Sequence, residues 1–136
     1  MFERTFVSIF VITEDVFGPL DWSRRDLGAL NIQRARDNGL PGYNDVRQAY
    51  GLPRKENWLA INSNYSVILL ELQRLYDFDK TPDRLDVFPG GLLETVPDGP
   101  GPLFTKIILE QFLRIRHGDR FWYENRQNRL FTDANE

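Results

Sequence analysis

The sequence predicts a mainly α-helical fold with long loops rich in proline and glycine. Three stretches place apolar residues three and four positions apart, which is the spacing of one face of a helix. The connections between them hold clusters of the 8 prolines and 10 glycines, residues that interrupt regular structure. With 136 residues and neither an internal repeat nor a low-complexity linker, the chain is expected to form one unit with a modest core.

The first predicted helix runs from Trp22 to about Asn38. Ser23 with Asp26 three residues later resembles a capping box, in which two side chains satisfy free N–H groups at the start of a helix. Asn38-Gly39, followed by a proline, provides the stop, because glycine readily adopts the left-handed backbone that closes a helix.

Three further helices are predicted along the chain. They span about 44–50, 65–76 and 102–116. Gly51 ends the first of these, and the last begins with a proline in its first turn. The stretch 79–102 is interpreted as mostly turns, including Gly90-Gly91, which lack the spaced glycines and the lysine of a phosphate-binding loop.

The apolar segment FVSIFVIT, residues 6–13, is too short to span a bilayer and lacks the basic region of a secretion signal. Alternate residues leave both of its faces apolar, which indicates either a buried strand or an artefactual segment. The segment therefore predicts no membrane span.

The large aromatic side chains are interpreted as parts of the hydrophobic core. They include Trp22, Trp58 and the run Phe121-Trp122-Tyr123. Such rings bury much apolar area, so core packing is a simpler interpretation than the binding of a sugar or a base.

Charge and composition exclude several functional classes. The net charge of −3 arises from 17 basic and 20 acidic residues that are scattered along the chain, so no field of one sign exists to hold nucleic acid. The absence of cysteine excludes disulfides, a thiol nucleophile and cysteine-type zinc sites, and a single histidine excludes a multi-histidine metal site. We assign no catalytic residue and no metal ligand.

Two polar residues interrupt the apolar face of the first helix. At 3.6 residues per turn, Leu27 and Leu30 share their side of the helix with Asn31 and Arg34, so both polar groups are expected to point inward. Burying an amide without a partner costs roughly 1–3 kcal/mol, and burying a charge costs more. Something polar is therefore expected to meet them.

Two interpretations of this pair stay open from the residues alone. In the first, both side chains are satisfied within the fold by Asp26, Asp37, Glu110 or loop carbonyls. In the second, a polar ligand binds against the helix, with an anion at Arg34 and a group that needs a fixed hydrogen-bond partner at Asn31.

Several segments closely resemble the animal haem peroxidases. DLGALNIQRARDNGLPGYNDVR (26–47), GGLLE (90–94) and GPLFTKIILEQFLRIRHGDRFWYEN (101–125) are similar to the C-terminal part of that family's domain. FGPLDWSRRDL (17–27) and GLPRKENW (51–58) are most similar to the peroxidase-homology domain of dual oxidases, which are peroxide-producing NADPH oxidases. The resemblance implies the C-terminal part of an all-helical peroxidase-like fold.

The same resemblance implies domain bounds and roles for the two polar residues. It covers residues 17–132, leaving 1–16 as an unmatched segment and 133–136 as a tail. The complete parent domain is expected to bind haem. In the family, the residue matching Asn31 hydrogen-bonds the proximal histidine that ligates iron, and the residue matching Arg34 pairs with a haem propionate. Both roles suit the chemistry of an amide acceptor and a guanidinium.

The residues that carry out catalysis in the family have no counterpart in this chain. The proximal histidine, the distal histidine and arginine, the calcium-binding loop and the carboxylates that tether haem lie upstream in the family. We therefore expect a fragment, truncated or mispredicted at its 5′ end, that is inactive alone and does not bind haem stably. His117 is interpreted as an exposed helix C-terminal cap, and Asn38, where many relatives have histidine, as a turn residue.

The resemblance also implies a cellular context. The expected partners are the remainder of the peroxidase-like domain and the membrane-anchored oxidase domains of the same polypeptide. The expected location is the extracytosolic side of a membrane or the exterior, where the sequon Asn64-Tyr65-Ser66 becomes relevant. The implied function is peroxidase chemistry with hydrogen peroxide and a response to oxidative stress. The alternative is a haem-free homology module that binds a partner protein.

Overall fold

The computed structural model describes residues 26–76 and 80–129. Within these ranges the chain is mainly helical and has no β-strand, which confirms the predicted fold class. The α-helices are α1 (Leu27–Asp37), α2 (Tyr43–Ala49), α3 (Ser66–Leu75), α4 (Val87–Leu93) and α5 (Pro102–Gly118). Short 3₁₀ turns span Trp58–Ala60, Ser63–Tyr65, Pro82–Arg84 and Arg126–Asn128. The chain divides into two compact units, one ending at Phe104 and the other beginning at Thr105.

Helix α1 begins and ends at side chains that satisfy its free backbone groups. Asp26 is the N-cap, and its carboxylate accepts a hydrogen bond from the backbone N–H of Ala29 at 3.0 Å. The predicted capping box is therefore wrong, because Asp26 is itself the cap rather than the third residue after a cap at Ser23. The predicted stop is confirmed, with Asn38 as C-cap and Gly39 at φ +68°.

The predicted helices near 44–50, 65–76 and 102–116 are confirmed as α2, α3 and α5. Gly51 follows α2 at φ +69°, a conformation that glycine adopts without the strain other residues would meet. No helix in the described ranges is both long and apolar enough to cross a bilayer. The apolar segment 6–13 lies outside those ranges.

The interpretation of 79–102 as mostly turns is wrong for its middle, which forms α4. Gly90 and Gly91 lie inside this helix although glycine is a weak helix former. Packing explains the difference, because a Cβ at Gly90 would overlap the ring of Tyr43, and one at Gly91 would overlap the ring of Phe104. Two aromatic rings thus occupy the space that side chains would fill, and tertiary contact stabilises the helix.

A buried acidic side chain joins several elements of the first unit. The Oε1 atom of Glu94 accepts hydrogen bonds from the Tyr43 hydroxyl and the Arg47 guanidinium. Its Oε2 atom accepts from the backbone N–H of Leu103 at 2.9 Å, and Arg47 also donates to the carbonyl of Pro53 at 2.8 Å. The Arg47 and Glu94 side chains are 3% and 2% exposed. Burial, followed by the hydrogen bond to Glu94, raises the pKa of Tyr43.

The first unit also buries a set of apolar side chains that form its core. Its buried members are Tyr43, Val46, Trp58, Ile61, Leu69, Leu85, Val87, Leu93 and Leu103. Trp58 lies 5.9 Å from Tyr76 between ring centroids, as expected of a core residue. The same expectation is wrong for Phe121 and Tyr123, which are 60% and 64% exposed.

Contacts with arginine side chains account for part of the exposure of the aromatic rings in the second unit. The guanidinium of Arg120 lies 4.6 Å from the ring centre of Phe121, and that of Arg116 lies 5.5 Å from that of Trp122. Aromatic faces attract cations without needing full burial. Trp122 is half-buried, and Trp22 lies outside the described residues.

We predict that Gly90→Ala lowers the free energy of unfolding by about 1–3 kcal/mol, because its Cβ would enter the space of the Tyr43 ring. Gly118→Ala is the matched control, since a Cβ there meets nothing within 4 Å, and its effect should stay within about 0.5 kcal/mol. Denaturant unfolding followed by circular dichroism measures both. Equal effects of the two substitutions would contradict the packing argument.

Candidate functional site

Helix α1 packs along a side that differs from the predicted one. Its half-buried residues are Leu27, Gly28, Asn31, Ile32 and Ala35, and none of its residues is fully buried. Leu30 is 39% exposed and Arg34 is exposed, so the predicted inward face is wrong for these two residues. The packed side is rotated so that Ile32 and Ala35 take their places, and Arg34 lies at its margin.

The two predicted site residues contact each other. An Nη1–H of Arg34 donates to the Oδ1 atom of Asn31 at 3.1 Å. An amide oxygen has two acceptor positions and a guanidinium has five N–H donors, so each group keeps capacity for another partner. The structure therefore brings together the amide and the cation that the sequence singled out.

The acidic residues considered as internal partners bind elsewhere. Asp26 caps α1, Asp37 accepts from the amide of Gln33 at 2.7 Å, and Glu110 pairs with Arg114. Within the described ranges, Arg34 makes no ion pair. Other arginines do, among them those in the pairs Arg36–Asp86, Arg47–Glu94, Arg54–Asp45, Arg74–Glu71, Arg114–Glu110 and Arg116–Glu124.

A bidentate ion pair holds α1 from another side. Arg36 donates from Nε to Oδ1 of Asp86 at 2.9 Å and from Nη2 to Oδ2 at 2.6 Å, and the Tyr76 hydroxyl donates to the same Oδ2 at 2.5 Å. Residues that are two positions apart on a helix differ by about 200° of rotation around its axis. Arg34 and Arg36 therefore point in nearly opposite directions. The pair therefore restricts rotation of α1 and with it the direction of Arg34.

The titration behaviour of this cluster follows from its contacts. The hydrogen bond from Arg36, with a further one from Tyr76, holds the pKa of Asp86 below its usual value. Burial, aided by the negative Asp86, raises the pKa of Tyr76. At neutral pH the cluster thus consists of a charged pair and a protonated phenol. Sequence reasoning missed Arg36 and Asp86, because 50 residues separate them.

Asn38 and His117 occupy the places expected of them. The Asn38 amide donates to the carbonyl of Arg34 at 2.8 Å, which confirms its role in the turn after α1. His117 is exposed in the last turn of α5, as predicted. A cavity of about 170 Å³ in the first unit is lined by residues between 57 and 80, including Trp58 and Leu69, and by none from α1.

Comparison with known proteins identifies the family. The profile of the family Animal haem peroxidase matches residues 5–135. The chain belongs to the animal haem peroxidase family. The match begins inside the segment 1–16 and ends inside the tail 133–136. Peroxidase A from Dictyostelium discoideum is a solved structure of similar fold, with a TM-score of 0.71 and 35% identity over 93% of this chain and 24% of its own.

Among the relatives of this haem peroxidase family member are several dual oxidases. The dual oxidase of Drosophila melanogaster is 47% identical over 123 residues, which is 89% of this chain and 8% of the relative. Human dual oxidase 2 is 47% identical over 116 residues, or 85% of this chain and 7% of the relative. The chain thus spans less than a tenth of the length of these relatives.

We predict that Asp86→Asn lowers the midpoint of thermal unfolding, because it removes the charge that holds Arg36. The folded-state pKa of Asp86 is depressed, so its contribution to stability is present above the ordinary carboxyl pKa of about 3.9 and disappears as the pH falls through the folded value. The difference between wild type and variant should therefore shrink in acid. Unfolding scans across pH measure this.

Asp45→Asn is the control for that experiment. Asp45 also pairs with an arginine, Arg54, but its side chain is 55% exposed whereas that of Asp86 is 11% exposed, and ion pairs in solvent contribute little. A destabilisation by Asp45→Asn as large as that by Asp86→Asn, or one from Asp86→Asn that is independent of pH, would argue against a clamp on α1.

Proposed function

We propose that the chain is the C-terminal part of the peroxidase-homology domain of a dual oxidase, and that α1 supplies the proximal-side wall of its haem pocket. The similarity to dual oxidases over 85–89% of the chain supports the assignment to that branch. The observation that carries the pocket is the Asn31–Arg34 pair, an amide and an exposed cation that contact each other and have capacity for further partners.

These residues fit the polar parts of a haem group. A propionate is a carboxylate, and a guanidinium with unused parallel donors binds carboxylates well. The carboxylates near Arg34 in the chain, on Asp26 and Asp37, bind other groups, so they leave its donors available. Haem, when bound in the complete domain, supplies the iron that reacts with peroxide.

In this proposal each residue of the pair performs one task. The second acceptor position of the Asn31 Oδ1 atom receives the free imidazole N–H of the proximal histidine, which belongs to the parent domain. That hydrogen bond fixes the ring orientation and increases the basicity of the ligating nitrogen. Arg34 holds a propionate and, through its 3.1 Å hydrogen bond, keeps the Asn31 amide from rotating. The pair Arg36–Asp86 then acts as a positioning contact, because it fixes the rotation of the helix.

The wider setting is proposed on the same basis. The chain works together with the remainder of the peroxidase-like domain and with membrane-anchored oxidase domains of the same polypeptide. The domain lies on the extracytosolic side of a membrane, uses hydrogen peroxide chemistry and contributes to the response to oxidative stress. The similarity to dual oxidases supports each of these statements.

A second function, a haem-free module for protein interaction, has one observation in its favour. The second unit exposes a series of large apolar side chains on α5 and after it, namely Ile108, Leu109, Phe112, Leu113, Ile115, Phe121 and Tyr123. Exposed apolar side chains in such number favour contact with another protein surface. In the haem-binding proposal the same residues contact the rest of the domain.

We predict that the full-length protein has a Soret absorbance band that shifts in Asn31→Asp, because a carboxylate makes the proximal imidazole more basic than an amide does. Arg34→Ala should weaken haem retention by about 10–100-fold. Ala29→Ser, at an exposed position on the same helix, is the control and should leave the spectrum unchanged. A full-length protein that takes up no haem would leave the interaction module as the function.

We also predict that the purified 136-residue chain mixed with haem oxidises guaiacol no faster than free haem does. Its single histidine, His117, is exposed at the end of α5, and nothing in the chain is assigned as a distal base. Stopped-flow absorbance with hydrogen peroxide measures the rate, with the full-length protein as the positive control. Turnover by the chain above the free-haem rate would show that it builds a catalytic site alone.

A further inference from the structure

The turn that ends α1 contains the dipeptide Asn38-Gly39, and both residues are exposed. The sequence has no second Asn-Gly pair. In such a pair the side-chain carbon Cγ of the asparagine can approach the backbone nitrogen of the next residue, and glycine leaves that nitrogen unshielded because it lacks a Cβ. The turn therefore holds the atoms that can close a five-membered ring between the Asn38 side chain and the Gly39 nitrogen.

Hydrogen bonds hold both of the reacting groups in the folded turn. The Asn38 amide donates to the carbonyl of Arg34 at 2.8 Å, and the Gly39 N–H donates to the carbonyl of Arg36 at 3.0 Å. Gly39 also has the positive φ, +68°, that is typical of a helix end closed in this way. Ring closure requires both hydrogen bonds to break, so the folded turn slows the reaction.

We propose that Asn38 is a deamidation site whose rate is controlled by opening of the last turn of α1. The Gly39 nitrogen loses its proton and bonds to the Cγ atom of Asn38. The bond from Cγ to Nδ2 breaks, and ammonia leaves with the proton. Water then opens the ring at either of its two carbonyl carbons, so the product is aspartate or isoaspartate. Water is consumed, ammonia is released, and no electron is gained or lost.

The Arg36–Asp86 pair connects this chemistry to the rest of the first unit. Arg36 provides the carbonyl that holds the Gly39 N–H, and its guanidinium donates two hydrogen bonds to Asp86, whose side chain is 11% exposed. Opening of a helix end is a local unfolding step, and its free energy depends on such tertiary contacts. Loss of the pair is therefore expected to increase the population of open turns in which the ring can close. No step requires haem, so the inference does not depend on the proposed function.

Deamidation changes the end of α1. The Asn38 amide donates to the Arg34 carbonyl, whereas the ionised carboxylate of the product has no proton to donate and repels that oxygen. A negative charge near the C-terminus of a helix is also unfavourable in the field of the helix dipole. In isoaspartate the main chain contains an additional carbon atom, which alters the turn further. The modified chain therefore loses a hydrogen bond that ends α1, one helical turn from Arg34.

The test follows the full-length protein during incubation at mildly alkaline pH. Trypsin cleaves after Arg36 and Arg47, so the peptide 37–47 contains both Asn38 and Asn44. Asn44 is an internal control, because it is 1% exposed and its amide is hydrogen-bonded inside the fold. We expect mass spectrometry to find aspartate and isoaspartate at Asn38 and neither at Asn44. Asn38 that stays intact in the folded protein, over a period in which the synthetic peptide 37–47 is converted, would overturn the proposal.

Two substitutions test whether opening of the turn controls the rate. Asp86→Asn should accelerate conversion of Asn38 by about 5-fold or more, because loss of a stabilising contact increases the open population by a factor of this order. Glu71→Gln removes an exposed ion pair on α3 and should leave the rate unchanged. Equal rates in wild type and Asp86→Asn, or an equal acceleration at Asn38 and Asn44, would contradict local control by the turn.

Substitutions of Asn38 itself test the effect on α1. Asn38→Gln retains an amide but lengthens the ring that would have to form, so neither product is expected. Asn38→Asp introduces the carboxylate directly and should lower the midpoint of thermal unfolding at neutral pH. The decrease should become smaller in acid, where the carboxyl group gains a proton and can donate again. An Asn38→Asp protein with the midpoint of the wild type at neutral pH would overturn the proposed effect on the helix.

Discussion

The carboxylate of Glu94 is the constraint on which the first unit depends. Removing a charge from water costs several kcal/mol, and the buried Arg47 guanidinium, the Tyr43 hydroxyl and the Leu103 N–H together offset that cost. Two of the donors lie on α2 and the third lies at the start of α5, so the carboxylate at the end of α4 is satisfied only when these three segments are assembled. If one donor were lost, the remaining donors would compensate the buried charge of Glu94 less well. The segments that carry the family resemblance, 26–47, 90–94 and 101–125, all contribute to this one contact.

The hydrogen bonds of Glu94 also determine the geometry of the candidate site. The Tyr43 N–H donates to the carbonyl of Leu85 at 2.8 Å, and the next residue, Asp86, immediately precedes α4. Fixing α2 and α4 through Glu94 therefore fixes the position of Asp86. Asp86 in turn binds Arg36 and sets the rotation of α1. Helix α1 has no fully buried residue, so core packing does little to fix its orientation. The ion pair therefore contributes a larger part of that orientation than it would in a well-buried helix.

The sequence predicted most helices but not the contacts between them. Local signals were enough for the other four helices: apolar spacing for α1, α3 and α5, and a glycine at or just after the end of α1, α2 and α5. Helix α4 was missed because what stabilises it is the packing of two aromatic rings against Gly90 and Gly91, and no local signal reports that. The pair Arg47–Glu94 spans 47 residues and was missed for the same reason. Asn31 was found because an amide interrupts an apolar stripe, and the structure has Asn31 half-buried. The predicted inward face, which included Leu30, is nevertheless rotated relative to the face that packs.

The arginines of the segment 26–47 show how environment separates residues of identical chemistry. Arg47 is buried against Glu94, and Arg36 forms a bidentate pair with Asp86, so each of them already holds a carboxylate of this chain. Arg34 could pair with Asp37 three residues later on the same helix, a spacing at which opposite charges attract. Instead Asp37 accepts from Gln33, and Arg34 spends one donor on the neighbouring amide of Asn31. A carboxylate from outside the described residues therefore meets no internal competitor at Arg34, whereas at Arg36 or Arg47 it would have to displace a charged partner. This difference, rather than position in a motif, is the physical reason to place an acidic ligand at Arg34.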